Sequence, residues 1–192
     1  MSLNDYLKKF EEQPVQEERE IEVVGTGNVE ALCEAYEEYC EREISPWMLN
    51  QSICNELISE LVYSSKDVTA FSIELAKYQQ QKNFGYHAGS FLSSLMISSV
   101  ENDFTIITTQ LKNNIHWLGY NGNENIRVIG NVGDHAGYNK RSGRMIIEGD
   151  TGGLGNRMTG GEIHVSGEIE SLGKIISDKA RIYHKGKLIW PE

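Results

Sequence analysis

Apolar residues recur with helical spacing in the first half of the chain, and this pattern predicts four helices. Asn28 is a candidate N-cap for the first helix, and Ser45 followed by Pro46 predicts the start of the second. Ser65 opens the third helix, and the fourth begins near Tyr86. The residues predicted to face the core are Val29, Leu32, Cys33, Tyr36 and Cys40 in the first helix, Leu49, Ile53, Leu57, Leu61 and Val62 in the second, Val68, Phe71, Leu75 and Tyr78 in the third, and Phe91, Leu92, Leu95 and Met96 in the fourth.

The pattern changes near Phe104, where glycine becomes frequent and short stretches of alternating apolar residues replace the helical spacing. A two-residue step then recurs every 18 residues, as Leu118-Gly119, Ala136-Gly137, Leu154-Gly155 and Leu172-Gly173. One such coil cannot bury its own apolar face, so successive coils must stack. The sequence therefore predicts an acidic α-helical domain over residues 1–103 and a right-handed parallel β-helix, with coils of about 18 residues, over residues 104–192.

Alternation within each predicted strand indicates which side chains point into the β-helix. One inward ladder contains Ile126, Met145, Ile163 and Ile182, a second contains Val128, Ile147, Val165 and His184, and the outward positions are Arg127, Ile146, His164 and Tyr183. An antiparallel sheet of hairpins is the alternative fold, but it gives no reason for a constant spacing of 18 residues.

Two glycine-rich segments, 128–137 and 147–161, carry a resemblance to a known family. They resemble the GXGXG repeat, which is similar to the C-terminal domain of the glutamate synthase large subunit and to one of the subunits of formylmethanofuran dehydrogenase. The resemblance implies a β-helix that is a non-catalytic part of a large oxidoreductase and packs against subunits with flavin, iron–sulfur or metal chemistry. The glycines of the fold motif are Gly130, Gly133, Gly137, Gly149, Gly152, Gly155, Gly160, Gly161, Gly167 and Gly173.

The charge and the cysteine content indicate which kinds of partner and which cellular compartment fit the sequence. Residues 1–103 hold 19 acidic and 7 basic residues, a net charge of −12, and such an acidic half would repel the phosphates of nucleic acid. Because no apolar run is long enough to span a membrane, we expect no membrane-spanning segment, and we also expect no secretory signal. Cys33, Cys40 and Cys54 lack metal-binding spacing, so we expect reduced thiols and a cytoplasmic protein.

Candidate chemistry in the sequence is sparse. The glycine-rich stretch from Gly149 to Gly155 resembles a phosphate-binding loop, but no Gly-Lys-Ser or Gly-Lys-Thr follows it. No serine has the G-x-S-x-G context of a hydrolase nucleophile, and no two histidines have metal-binding spacing. The candidate site residues are Asp134 and His135 at a glycine corner, and Lys140, Arg141, Arg144 and Arg157, which could bind an anion or an acidic partner.

Three functions are compatible with these observations. The first is a non-catalytic structural or assembly domain that carries no catalytic residue, cofactor or metal and that associates with a protein partner or with itself. The second is an accessory subunit that completes the active site of an oxidoreductase complex. The third is an independent hydrolase such as an esterase. The absence of a cofactor motif, metal spacing or catalytic triad in the sequence favours the first.

Overall fold

The computed structural model describes residues 28–42 and 51–191 as a helical region followed by a parallel β-helix. Residues 1–27 and the predicted helix start at Ser45-Pro46 lie outside the described residues. The helices are α1 (Val29–Glu41), α2 (Gln51–Ile58), α3 (Ser65–Glu74), which continues into a 3-10 turn (Leu75–Tyr78), and α4 (Phe84–Ser98). The strands are β1 (Asp103–Ile107), β2 (Asn125–Ile129), β3 (Arg144–Ile147), β4 (Thr151–Leu154), β5 (Glu162–Val165), β6 (Ile169–Leu172), β7 (Arg181–His184) and β8 (Lys187–Trp190).

The buried face of α1 differs from the predicted one. Leu32 and Tyr36 are buried as expected, but Tyr39 joins them, whereas Cys33 and Cys40 are only half-buried. The cause is aromatic packing, because the rings of Tyr36 and Tyr39 lie 5.3 Å and 5.6 Å from the ring of Phe91. The buried stripe of α1 is therefore rotated slightly away from its cysteines and towards its second tyrosine.

The second helix also departs from its prediction, while the third and fourth agree with it. The helix α2 ends at Ile58, so Val62 lies beyond it and is 83% exposed. A capping box fixes the start of α3, in which the Ser64 hydroxyl accepts from the Asp67 amide at 3.3 Å and Asp67 accepts from the Ser64 amide at 2.8 Å. The predicted core residues of α3, its 3-10 turn and α4 are buried: Val68, Phe71, Leu75, Tyr78, Phe91, Leu92, Leu95 and Met96.

The strands confirm the predicted β-helix. Six strands form one sheet in the order β1-β2-β3-β5-β7-β8, parallel except for the last pair, and β4 pairs with β6 in a second parallel sheet. The first inward ladder is present as predicted, since Met145, Ile163 and Ile182 are fully buried and Ile126 nearly so. In the second ladder His184 is half-buried, and its Nε2 lies 2.9 Å from the Gly167 carbonyl.

The recurring two-residue steps that end in glycine are joined by a column of backbone hydrogen bonds. The amides of Gly137, Gly155 and Gly173 donate to the carbonyls of Leu118, Ala136 and Leu154 at 2.8, 2.9 and 2.8 Å. Gly137 and Gly155 adopt φ values of 63° and 70°, in the left-handed region where glycine avoids the penalty of a Cβ atom. The steps recur every 18 residues because each one is hydrogen-bonded to the equivalent step of the preceding coil.

The helices close the N-terminal end of the β-helix. The helix α4 crosses the first coil, where the Gly119 amide donates to the Ser93 hydroxyl at 3.0 Å and the His116 amide donates to the Gly85 carbonyl at 2.9 Å. The open edge of β1 is covered by α3, whose Ser72 hydroxyl accepts from the Ile107 amide at 3.0 Å. A single hydrophobic core joins the helices to the coils. The unpaired backbone groups of a terminal coil are thus satisfied by hydroxyl side chains.

At the C-terminal end, only the six-stranded sheet is covered by a further strand. The chain reverses at Gly186, and β8 pairs antiparallel with β7, so that Ile189 and Trp190 pack against the core. The indole N–H of Trp190 donates to the Ser177 carbonyl at 3.3 Å. Within the described residues, no helix has the length and apolar character needed to cross a membrane.

Candidate functional site

The turns of the first two coils bring four aromatic side chains together on the surface. The rings of Trp117 and His135 lie 4.4 Å apart, and those of Tyr120 and Tyr138 stack at 5.5 Å. Each pair is separated by 18 residues, one coil of the β-helix. All four side chains are half-buried. We refer to Trp117, Tyr120, His135 and Tyr138 as the aromatic surface.

The aromatic surface ends abruptly at the third coil. Gly153 lies one coil after His135, and Asn156 lies one coil after Tyr138. The second and third coils remain in contact there, since the Asn139 amide donates to the Asn156 carbonyl at 2.8 Å. Small and polar residues therefore border the aromatic rings, and the third coil adds no further ring to the stack at these two positions.

The backbone beneath the aromatic surface adopts a conformation that is costly for large side chains. Trp117 and His135 both have φ near 64°, in the left-handed region that bulky residues seldom occupy. Neighbouring coils hold this geometry, because the Trp117 amide donates to the Asp134 carbonyl at 2.9 Å. Strained residues that the fold holds in place are typical of functional sites.

The indole nitrogen of Trp117 is a second unusual feature. Its Nε1 atom is buried, yet it makes no hydrogen bond with the described residues. A buried donor without an acceptor costs about 1–3 kcal/mol. The indole is therefore held by its packing against Tyr120, His135 and Tyr138 rather than by a hydrogen bond.

Asp134 contacts a histidine that is not among the residues predicted from the sequence. The amide of Asp134 donates to Nδ1 of His116 at 2.9 Å, and Oδ2 of Asp134 lies 3.8 Å from the same nitrogen. The other carboxylate oxygen of Asp134 accepts from the Gly153 amide at 2.8 Å. Of the two candidates at this glycine corner, Asp134 therefore contacts His116, whereas His135 stacks on Trp117.

The surroundings of His116 favour its neutral form. Partial burial lowers the pKa of His116, and the nearby Asp134 carboxylate opposes this effect only in part. The ring of Tyr86 stacks on the imidazole with centroids 4.5 Å apart. Because Nδ1 already accepts an amide proton, this histidine orders the turn. The spacing of 18 residues between His116 and Asp134 is the one signal in the sequence for their contact.

The predicted basic residues do not form one anion-binding group. Arg141 and Arg157 are exposed at successive turns, but Lys140 is fully buried. Arg144 lies on the outer face of the six-stranded sheet, where its Nε donates to Glu162 at 3.0 Å beside an open groove of about 750 Å³. Lys140 therefore cannot bind an anion or an acidic partner together with the three arginines, because it points into the β-helix.

Lys140 occupies an interior position that Met158 occupies one coil later. Its ammonium group donates to the Glu124 carbonyl at 2.9 Å, and the carboxyl group of Glu124 is also buried. Burial lowers the pKa of Lys140 to about 8, although the negative charge of Glu124 opposes the shift. The interior of the second coil thus contains a charge whose cost depends on pH.

We expect the protein to become more stable as the pH rises, because Lys140 then loses its buried charge. Between the folded pKa of about 8 and the usual value of 10.5, the unfolded chain binds more protons at Lys140 than the folded chain does. The free energy of unfolding should therefore increase by up to ~3 kcal/mol across this window, relative to Lys140→Met. Urea unfolding of both proteins at a series of pH values measures the difference. A difference that is independent of pH would contradict the buried position of the ammonium group.

The glycine-rich stretch, the possible metal ligands and the cysteines are the remaining candidates from the sequence. The glycine-rich stretch from Gly149 to Gly155 contains β4, a strand paired with β6, so it does not open a helix that could hold a phosphate. In the described part of the chain, no three His, Cys, Asp or Glu side chains are placed to hold a metal ion. Cys33, Cys40 and Cys54 are free thiols.

Comparison with known proteins adds no relative of this chain. No family model matches it, and neither a curated protein nor a solved structure is similar enough to count as a match. The resemblance to the GXGXG repeat therefore remains a prediction from the glycine pattern, while the β-helix itself is observed.

Proposed function

We propose that this protein is a non-catalytic assembly protein, and that a protein partner binds to its aromatic surface. The supporting observation is the aromatic surface itself, formed by Trp117, Tyr120, His135 and Tyr138 on successive coils. Tryptophan and tyrosine are enriched among the residues that contribute most to protein–protein binding. A rigid backbone beneath them lowers the entropy lost on association.

The packing of the Trp117 ring supports the same proposal. Its Nε1 atom is buried, and the ring packs against Tyr120, His135 and Tyr138, so a partner would contact the aromatic rings rather than the indole N–H. Arg157, exposed in the third coil, adds a positive charge beyond the edge of the rings. The partner segment that fits this chemistry presents apolar groups to the rings.

The identity of the partner is proposed from the glycine pattern. The GXGXG resemblance points to a cytoplasmic oxidoreductase complex of the glutamate synthase or formylmethanofuran dehydrogenase kind. In that setting this protein serves as an accessory subunit, and the partner carries the cofactor. The surroundings of His116 agree with a role in ordering the chain, because its Nδ1 is already used by a backbone amide.

The proposal is tested by immobilising the wild type and its variants and comparing which host proteins each of them retains. The double variant Tyr120→Ala/Tyr138→Ala should lose a protein that the wild type retains, because about 1–2 kcal/mol or more is lost with each hot-spot ring. Tyr183→Ala is the matched control, since Tyr183 is also a half-buried tyrosine with a stacked ring, but it lies in β7 of the six-stranded sheet, away from these turns. Loss of the same protein with Tyr183→Ala, or equal retention by all three proteins, would refute the aromatic surface as the binding site.

A further inference from the structure

The two ends of the β-helix are not equally closed. At the N-terminal end, α3 and α4 satisfy the backbone of the first coil through Ser72 and Ser93. At the other end, β8 covers only the six-stranded sheet, where it pairs with β7. In the two-stranded sheet, β6 pairs with β4 on one side and with no described strand on the other. The last coil therefore presents a free strand edge.

Apolar side chains accompany this free edge. Leu172, at the end of β6, is 42% exposed, although Leu154 directly before it in the ladder is fully buried. Ile176, in the same coil, is 55% exposed. An open strand edge with apolar neighbours is a template for pairing with another strand.

We infer that a second copy of this chain pairs with this edge, β6 against β6, to form a two-fold symmetric dimer. The helices close the N-terminal end, so a head-to-tail stack of copies has no free edge to join. The two C-terminal ends can meet only as identical surfaces, which is the isologous contact of a two-fold dimer. This association goes beyond the proposed binding of a partner, because it does not use the aromatic surface.

Charge complementarity selects the register of this pairing. With the two-fold axis at Leu172, the last residue of β6, each β6 pairs antiparallel with residues 172–175 of the other copy, where the chain continues without a turn. This register places Glu170 of each copy opposite Lys174 of the other, and the two Leu172 side chains meet. Both charged residues are exposed, and neither forms an ion pair within the described residues of its own chain. An axis at Glu170 would instead oppose two identical carboxylates, which is unfavourable.

The neighbouring register is also less favourable. An axis at Ser171 would place Lys174 opposite Glu168, but Glu168 already pairs with Lys185 in its own coil. Opposite-charge pairs across antiparallel strands are stabilising, and the axis at Leu172 provides two of them without breaking an existing pair.

Sedimentation velocity over a wide range of concentrations tests the dimer with charge-reversal variants. The wild type should show a species of twice 21.7 kDa. Glu170→Lys alone and Lys174→Glu alone should each weaken the dimer about tenfold, because two attractive pairs become repulsive. The double variant Glu170→Lys/Lys174→Glu should restore it. An equimolar mixture of the two single variants should also form a dimer, since each copy then complements the other.

Each outcome of this experiment decides the inference. A wild-type protein that stays monomeric at every concentration overturns it, and so does a dimer that is equally strong in all the variants. Thermal melts check that the variants are folded, which is expected because both positions are exposed. Glu170→Lys should still retain the host protein that the wild type retains, because its aromatic surface is unchanged. This result distinguishes a failure of the dimer from a failure of the aromatic surface as a binding site.

Discussion

Replacing Gly89 by alanine should destabilise the protein by about 3 kcal/mol, although alanine is the better helix former by about 1 kcal/mol. A Cβ atom added at Gly89 would lie 1.6 Å from the carbonyl oxygen of His116, a backbone atom that has no room to move aside. The helix α4 would have to separate from the first coil. The hydrogen bond from the Gly119 amide to Ser93 would then be lost as well.

Thermal unfolding measures this effect, and Ser98→Ala is the matched control. Ser98 lies on the exposed side of the last turn of α4, so its replacement should change stability by no more than about 0.5 kcal/mol. For a chain of this length, the loss at Gly89 corresponds to a fall in Tm of about 10 °C. A Gly89→Ala protein that is as stable as Ser98→Ala would mean that α4 does not rest on the first coil.

The closed N-terminal end has a consequence for function. Trp117 belongs to the same first coil on which α4 rests, and the Trp117 carbonyl accepts a hydrogen bond from the Ser93 hydroxyl at 3.1 Å. The helical region therefore fixes the backbone beneath one half of the aromatic surface. Loss of the contact between α4 and the first coil would therefore weaken binding of a partner there, although the partner need not touch the helices.

The β-helix core could be predicted because one physical requirement repeats along the chain. Each coil must stack its apolar residues on those of the next, so spacing alone predicts the positions of Ile126, Met145 and Ile163. The same spacing places His164 on the outer face, where its ring stacks on Tyr183 at 4.3 Å. The aromatic surface has this period too, but its rings lie in turns, where no alternation of apolar and polar residues marks them.

Contacts that occur only once could not be predicted from a pattern. The hydroxyls of Ser72 and Ser93 satisfy the first coil, yet nothing in their local sequence distinguishes them from other serines in helices. Lysine seldom occurs in a core, so the sequence predicts a surface position for Lys140, whereas its ammonium group is satisfied inside by the Glu124 carbonyl. Both cases depend on a specific acceptor or donor that only the folded chain brings near.

Replacing Ile163 by aspartate should prevent the β-helix from folding. Ile163 is fully buried between Met145 and Ile182 in the inward ladder, where apolar side chains offer a carboxylate no hydrogen bond. A charge at this position would be buried unpaired, at a cost of several kcal/mol that a chain of ordinary stability cannot absorb. The milder change Ile163→Ala should leave a cavity and cost about 2–5 kcal/mol.

His164→Asp is the matched control, one residue along the same strand on the opposite face. The side chain of His164 is 33% exposed, so a carboxylate there remains in contact with water. The change removes the stacking on Tyr183 and adds a negative charge near Glu162, and we expect a loss of only about 1 kcal/mol.

The register of the coils determines where the aromatic surface lies, how α3 and α4 contact the first coil, and where the free edge of β6 lies. Thermal melts of Ile163→Asp and His164→Asp, compared with the wild type, test it most directly. The register described here predicts that Ile163→Asp shows no cooperative unfolding transition of the β-helix, whereas His164→Asp melts close to the wild type. An equal loss of stability in the two variants, or a greater loss in His164→Asp, would contradict it.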